Sequence, residues 1–194
     1  MKKFTLLIFL PAALALAACG GGQSSGKYEM YLSDQGLTQL GLTFLKGRCC
    51  GKLGINAKDP EARAEIIRVA EACAGTIALD GSHPANDQEL VELIPRPAQG
   101  DMSQWQEDTE ADPQVGPRLI TTTAYDWGDG GAGPFDENGF QAVALEVYRH
   151  QSKDWRLTLD LVYLESPASA DAAFHYRNPQ YPDTPYWDLG ERLH

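Results

Sequence analysis

The 194-residue sequence predicts an α+β fold in which an N-terminal helical hairpin packs on a small antiparallel β-meander. Two patterns predict these elements. Apolar residues recur at helical spacing in segments 34–47 and 59–75. In the second half of the chain they alternate with other residues at the period of a strand. Because such a meander has one apolar face that needs a cover, the helical hairpin is expected to provide it.

Each predicted helix has signals at its ends. Segment 34–47 has Ser33 as a potential cap and ends at Gly47, and its apolar residues are Leu37, Leu40, Phe44 and Leu45. The second segment has Asp59 to cap it and Pro60 in its first turn, and it should end near Gly75. Its apolar stripe consists of Ala62, Ile66, Val69, Ala70 and Cys73. The two stripes should pack together as an αα-hairpin.

The predicted meander consists of strands at 119–127, 143–148 and 155–163. The polar link 150–154 is short enough to join the last two strands as a hairpin. Segment 89–94 is expected to form one short element, and a short helix is expected from Pro167 through Phe174. A long acidic loop around 98–117 and an extended tail at 178–189 complete the domain, which spans 27–194.

The aromatic residues of the tail have two interpretations. Tyr181, Tyr186 and Trp187 could pack along the sheet, as large aromatic side chains usually do. They could also form a surface for a peptide or a sugar.

Residues 1–18 have the layout of a secretory signal. Lys2 and Lys3 precede an apolar run from Phe4 to Ala18, which is too short to span a bilayer comfortably and is interrupted by Pro11. The run ends in Leu16-Ala17-Ala18-Cys19, followed by Gly20. This sequence resembles the lipobox of bacterial lipoprotein precursors.

The resemblance covers the first twenty residues and implies that Cys19 carries the lipid after the leader is removed. With Gly20 rather than Asp after the cysteine, it also implies the outer membrane, with the domain facing the periplasm. Several acyl chains make release from a membrane negligible, because each buried methylene contributes about 0.8 kcal/mol. Residues 19–26 are rich in glycine and serine and should form a flexible tether.

The charge of the chain limits its partners. The formal net charge is −11 at pH 7, and loss of Lys2 and Lys3 with the leader makes the mature chain more acidic. Such a field repels nucleic-acid phosphates and anionic head groups, whereas it steers a basic protein partner inward. We therefore expect an envelope protein partner, for which a basic surface would be favourable, and no nucleic acid.

With Cys19 lipidated, Cys49, Cys50 and Cys73 remain in a compartment where disulfides persist. A bridge between the adjacent Cys49 and Cys50 would be strained. Cys73 is therefore expected to pair with Cys49 or Cys50, and Cys50–Cys73 is the working assignment. No second cluster of Cys and His residues accompanies them, so we predict neither a zinc site nor any other cofactor.

Candidate catalytic residues are few. Loop 126–139 gathers Asp126, Asp129 and Asp136 among glycines, a composition that suits calcium or a pair of catalytic carboxylates. However, its spacing is not that of an EF-hand, and an acidic glycine-rich turn explains the same residues. Ser82 and His83 lie in a turn sequence, and a thiol site with Cys49 or Cys50, His83 and Asp80 lacks a sign of an activated thiol.

Two functional hypotheses follow. The first is a lipid-anchored interaction module that binds an assembly partner or neutralises a toxin. The alternative is a tethered envelope hydrolase or calcium-dependent binder that uses loop 126–139. A purely structural lipoprotein cannot be distinguished from the first hypothesis by sequence, and no catalytic or metal-binding residue is assigned.

The lipid anchor gives the first testable prediction. Cells grown with labelled palmitate should incorporate label into this polypeptide, and Cys19→Ser should abolish incorporation and release the protein into the soluble fraction. Replacement of Cys50 by Ser serves as the control and should leave labelling intact. An unlabelled wild-type protein, or a Cys19→Ser protein that stays on the membrane, would contradict lipidation.

Overall fold

The computed structural model describes residues 27–97, 100–111, 116–122, 133–176 and 190–193. Its main feature is one antiparallel sheet of eight strands in the order β4-β6-β7-β3-β2-β1-β8, with β5 also pairing with β6. The strands are β1 (Tyr28–Asp34), β2 (Leu40–Lys46), β3 (Cys49–Ile55), β4 (Trp105–Glu107), β5 (Arg118–Ile120), β6 (Phe140–His150), β7 (Arg156–Leu164) and β8 (Glu191–Arg192). The helices are α1 (Pro60–Gly75), α2 (Asp87–Glu92), α3 (Gly133–Asp136) and α4 (Pro167–Phe174).

The predicted helical hairpin is wrong. Segment 34–47 forms the end of β1, a turn with Gly36 at a φ of +81°, and strand β2. Strand β2 lies between β1 and β3, and all its residues up to Leu45 are buried. A strand that is covered on both faces does not need polar residues at alternate positions. Its apolar run therefore had the spacing of a helix without forming one.

The second predicted helix is confirmed as α1. The Asp59 carboxylate accepts hydrogen bonds from the backbone N–H groups of Glu61 and Ala62, both at 3.0 Å, and Pro60 occupies the first turn. These contacts satisfy N–H groups that a helix leaves without an internal partner. The predicted apolar stripe is buried against the sheet. One face of the sheet is thus covered mainly by this single helix rather than by a hairpin.

The β6–β7 hairpin is confirmed, but the small meander is wrong in extent. β7 also pairs with β3 over seven residues, from Cys49 opposite Tyr163 to Ile55 opposite Leu157. The first predicted strand, 119–127, is represented by β5, and residues 123–127 lie outside the described residues. The C-terminal strands are therefore part of the large sheet, which also contains β1, β2 and β3.

The predicted acidic loop around 98–117 includes ordered elements. A 3₁₀ turn (Gly100–Met102) precedes β4, which pairs with the end of β6. The indole of Trp105 in β4 is fully buried, and its Nε1 donates to the Glu65 carboxylate on α1 at 2.6 Å. The short helix predicted from Pro167 through Phe174 is present as α4. It begins after Ser166, whose hydroxyl accepts a hydrogen bond from the Ser169 N–H, and Pro167 suits its first turn.

The sheet has a packed core on each face. On the first face, α1 and α2 cover a large cluster that includes Phe44, Leu53 and Tyr148. On the second face, α4 and Phe135 cover a smaller cluster that includes Leu45, Cys50 and Val162. Among the residues that the structure describes, α4 is the long helix on this face, and it packs on the smaller cluster only.

A substitution at Gly51 tests how closely the side chains of the first face pack on the sheet. A Cβ at this position would lie 2.1 Å from Cε1 of the buried Phe44 ring, so Gly51→Ala should lower the free energy of unfolding by about 1–3 kcal/mol. Gly75→Ala is the matched control, since a Cβ there meets no atom within 4 Å and alanine favours a helix by up to about 1 kcal/mol. Urea unfolding measures both. Equal stability of the two variants would contradict the close approach of Phe44 to β3.

Candidate functional site

Antiparallel pairing aligns residues of the second face in rows that cross the strands. The row beneath α4 is apolar and consists of Leu45, Cys50, Val162, Val143 and Ile120. Two residues further along each strand, the next row on the same face changes character. It consists of Thr43, Lys52, Asp160, Leu145 and Arg118. The polarity of this face therefore changes within one row beyond the helix.

The polar row lies in a cleft of about 520 Å³. Its floor is formed by β3, β6 and β7, and its sides by Arg118 of β5, Ala111 and the turn between β1 and β2. The third row of the face has small residues, since Gly54 on β3 lies opposite Gly41 and Thr158. The lining residues are Gln35, Gln39, Lys52, Gly54, Ile55, Asn56, Ala111, Arg118, Leu145, Val147, Arg156, Thr158 and Asp160.

Asp160 is the acidic residue of this lining. It lies at the centre of the sheet, with Lys52 opposite on β3 and Leu145 opposite on β6. Within the described part of the chain, no hydrogen bond or ion pair satisfies its carboxyl group. Burial raises the pKa of Asp160 from 3.8 to about 6, although the charge of Lys52 opposes the shift. Its ionisation therefore occurs close to neutral pH.

Arg156 forms one end of the cleft and is held by two contacts. Its Nε donates to Asp108 Oδ2 at 2.5 Å, and its backbone N–H donates to Asn56 Oδ1 at 2.6 Å. Burial alone would raise the pKa of Asp108, but the hydrogen bonds from Arg156 and the Ala111 N–H outweigh it and the pKa is lowered. The buried Asp108 carboxylate thus stays ionised and fixes the guanidinium of Arg156.

The turn between β1 and β2 forms a rim of the cleft through Gln35 and Gln39. The Gln35 side chain lies over Gly41, where a Cβ would stand 2.2 Å from its amide nitrogen. At the tip of the turn Leu37 is 97% exposed. The tip of this turn therefore carries one exposed apolar side chain between the two glutamines that line the cleft.

The three core cysteines are free thiols in the structure, and all are buried. Cys50 lies on the second face, where its Sγ donates to the Ala170 carbonyl at 3.4 Å. Cys73 lies in the first-face cluster together with Cys49. A disulfide remains a prediction, and the sheet places Cys49, rather than the assigned Cys50, on the same side as Cys73.

The thiols are poor candidates for a nucleophile. Burial raises the pKa of Cys73 to about 12 and also raises the pKa values of Cys49 and Cys50. A reactive thiol needs the opposite shift and access to solvent.

The other predicted site residues do not converge in the described structure. Cys19, Asp126 and Asp129 lie outside the described residues, whereas Asp136 is exposed in the short helix α3. His83 Nδ1 is 2.9 Å from the Glu89 carboxylate, and the Ser82 hydroxyl donates to Asp80 at 2.7 Å. Among the described residues, no group of three or more His, Cys, Asp or Glu side chains could hold a metal ion.

Sequence reasoning missed the cleft because its residues are far apart along the chain. The alternation in segment 155–163 places Asp160 and Thr158 on the polar side of a strand, whereas Lys52 lies between the two predicted helices. The available signal was a charged residue, Asp160, at the middle of strand β7. Its meaning depended on the pairing of β3 with β7, which no local pattern indicates.

Comparison of the chain with protein-family models, curated proteins and solved structures gave no match. Within the described ranges, no helix combines the length and the apolar character that crossing a bilayer requires. The functional interpretation therefore depends on the chain's own residues.

The shifted ionisation of Asp160 has a measurable effect on stability. Because its pKa is higher in the folded state, the folded protein loses stability as pH rises from about 4 through about 6. One pKa unit is about 1.4 kcal/mol, so the shift amounts to roughly 3 kcal/mol. Asp160→Asn should remove this loss, and its advantage over the wild type should be largest above pH 6, as measured by urea unfolding across pH.

The matched control for this prediction is Asp154→Asn, at an exposed position in the β6–β7 turn. It should leave the pH dependence unchanged. A constant difference between Asp160→Asn and the wild type at all pH values would show that Asp160 titrates normally.

Proposed function

We propose that this protein is a lipid-anchored lipoprotein of the bacterial outer membrane that binds an envelope protein partner through the cleft on the second face of its sheet. The observation that carries the proposal is the polar row of Lys52, Asp160 and Arg118 in a cleft on the face that α4 leaves open. The lipobox-like leader supports the location, and the partner is an assembly partner or a toxin that the protein neutralises.

The chemistry of the cleft supports binding more than catalysis. Hydrolysis of a glycoside generally uses two carboxyl groups that flank the scissile bond. Asp160 is the one carboxyl group among the described lining residues, and the second nearby acid, Asp108, is fully buried and paired with Arg156. Charged and polar side chains held on adjacent strands instead provide fixed partners for a ligand's polar groups.

The surroundings of the cleft also suit a protein partner. The turn between β1 and β2 lines the cleft through Gln35 and Gln39 and carries the exposed Leu37 at its tip. Protein interfaces combine apolar contacts with polar, solvent-accessible groups at their rim. The negative charge of the whole chain would increase the encounter rate with a basic protein more than its final affinity.

Site-specific photo-cross-linking in cells tests the proposal. A benzophenone amino acid at Gln39, on the rim of the cleft, should yield one discrete adduct with an envelope protein. The same group at Glu71, on the exposed side of α1, should not yield it. Lys52→Glu should remove the adduct, because it reverses a charge in the cleft, whereas Lys153→Glu, in the β6–β7 turn, should retain it.

Three outcomes would contradict the proposed function. These are the absence of an adduct at Gln39, the same adduct from Glu71, and an adduct at Gln39 that is insensitive to Lys52→Glu. Immunoblots of the membrane fraction confirm that each variant accumulates to the wild-type level.

A further inference from the structure

Building on the proposed function, we propose that the row of Lys52, Asp160 and Arg118 recognises a carboxylate, namely a glutamate or aspartate side chain of the partner protein. The two cations would pair with the carboxylate oxygens. Asp160, in its protonated form, would donate an O–H hydrogen bond to the same group.

Lys52 is the cation that the fold leaves available. Its side chain is exposed on a central strand, lines the cleft and forms no ion pair within 4.0 Å among the described residues. Other cations near the cleft are already paired. Arg156 is bound to Asp108, and Arg149 is bound to Glu110 at 3.1 Å. An incoming anion would therefore gain a partner in Lys52 without breaking an existing ion pair.

Arg118 extends the positive side of the site. It lies on β5 opposite Leu145, and Leu145 lies opposite Asp160, so Arg118 and Lys52 flank Asp160 on two sides of the row. A guanidinium presents several N–H donors in one plane, an arrangement that matches the two oxygens of a carboxylate. A ligand carboxylate above the row can therefore interact with both cations.

Asp160 determines how binding depends on pH. Among the described residues, the charged groups that line the cleft with it are Lys52 on β3, Arg118 on β5 and Arg156 on its own strand, whose charge Asp108 offsets. Ionised Asp160 would repel a ligand carboxylate, whereas protonated Asp160 would donate a hydrogen bond to it. Since its pKa is about 6, binding of an acidic ligand should strengthen as pH falls through this value. A cationic ligand would show the opposite dependence.

The acidic surface does not oppose this inference. Exposed charges separated by more than about 8 Å are largely screened at physiological ionic strength. The groups lining the cleft therefore decide which side chain enters it, and the surface decides which proteins approach. A basic partner that presents one carboxylate satisfies both conditions. A pocket of about 520 Å³ accommodates such a side chain.

Titration with short peptides tests the inference on the mature chain carrying Cys19→Ser. The probe is acetylated tetraglutamate amide, with tetraglutamine and tetralysine as matched peptides. Calorimetry and backbone amide NMR are recorded at about pH 5.5, where glutamate with a pKa near 4.3 stays ionised, and at about pH 7.5. Tetraglutamate should bind about tenfold more tightly at the lower pH, with shifts at Lys52 and Asp160.

The variants separate the roles of the two residues. Asp160→Asn should bind tetraglutamate equally at both pH values, because the amide donates a hydrogen bond without a charge. Lys52→Gln should weaken binding about tenfold at both pH values, the equivalent of about 1.4 kcal/mol. Lys153→Gln, in the β6–β7 turn, should bind like the parent chain.

Three outcomes would overturn the carboxylate inference: tetralysine that shifts the Lys52 and Asp160 amides more than tetraglutamate does, tighter tetraglutamate binding at the higher pH, or tetraglutamate binding without amide shifts in the cleft. These outcomes are distinct from failure of the proposed function. If the adduct at Gln39 forms and depends on Lys52 while tetraglutamate does not bind, the proposed partner site is supported and its carboxylate specificity is wrong. If the adduct is absent, the proposed function itself fails.

Discussion

The pairing of β3 with β7 is the interaction on which the rest of the structure depends. It joins the N-terminal strands to the C-terminal hairpin through seven aligned residue pairs and so makes one sheet from two segments far apart in sequence. The same register places Cys50 beside Val162 and Lys52 beside Asp160. A shift by one residue would move each of these side chains to the opposite face, so the second core and the cleft depend on the same alignment.

The two faces of this sheet have different roles. The first face buries large side chains such as Phe44, Trp105 and Tyr148 against α1 and α2, and this packing provides most of the apolar burial of the domain. The second face is shared between the small core under α4 and the polar cleft. Because the cleft side chains project from central strands, the first-face core holds their backbone in place. A binding site supported in this way is more precise than one built on loops.

Local sequence signals predicted the elements whose capping residues or residue alternation lie within the segment itself. Helix α1 was predictable because Asp59 and Pro60 fix its start, and the β6–β7 hairpin because its residues alternate. Strand β2 was not, since burial on both faces erased the alternation that identifies a strand.

The candidate site was predictable only in part, for a related physical reason. The polar side of β7 could be read from the sequence, but the neighbour of Asp160 could not. Nothing in the segment around Lys52 indicates that it becomes a central strand beside β7. Lipidation of Cys19 depends on a linear motif and needs no tertiary structure, which explains why it was the most readily inferred property. It remains a prediction, since Cys19 lies outside the described residues.

The outermost strands of the sheet are short. Strands β4 and β5 have three residues each. Strand β8 has two residues, and both are charged. Long unpaired strand edges recruit other chains by backbone hydrogen bonding, and short or charged edges resist this association. For a chain held by lipid, as proposed above, diffusion would be restricted to two dimensions and copies would collide often. Short outer strands would keep such copies from pairing edge to edge at high surface density.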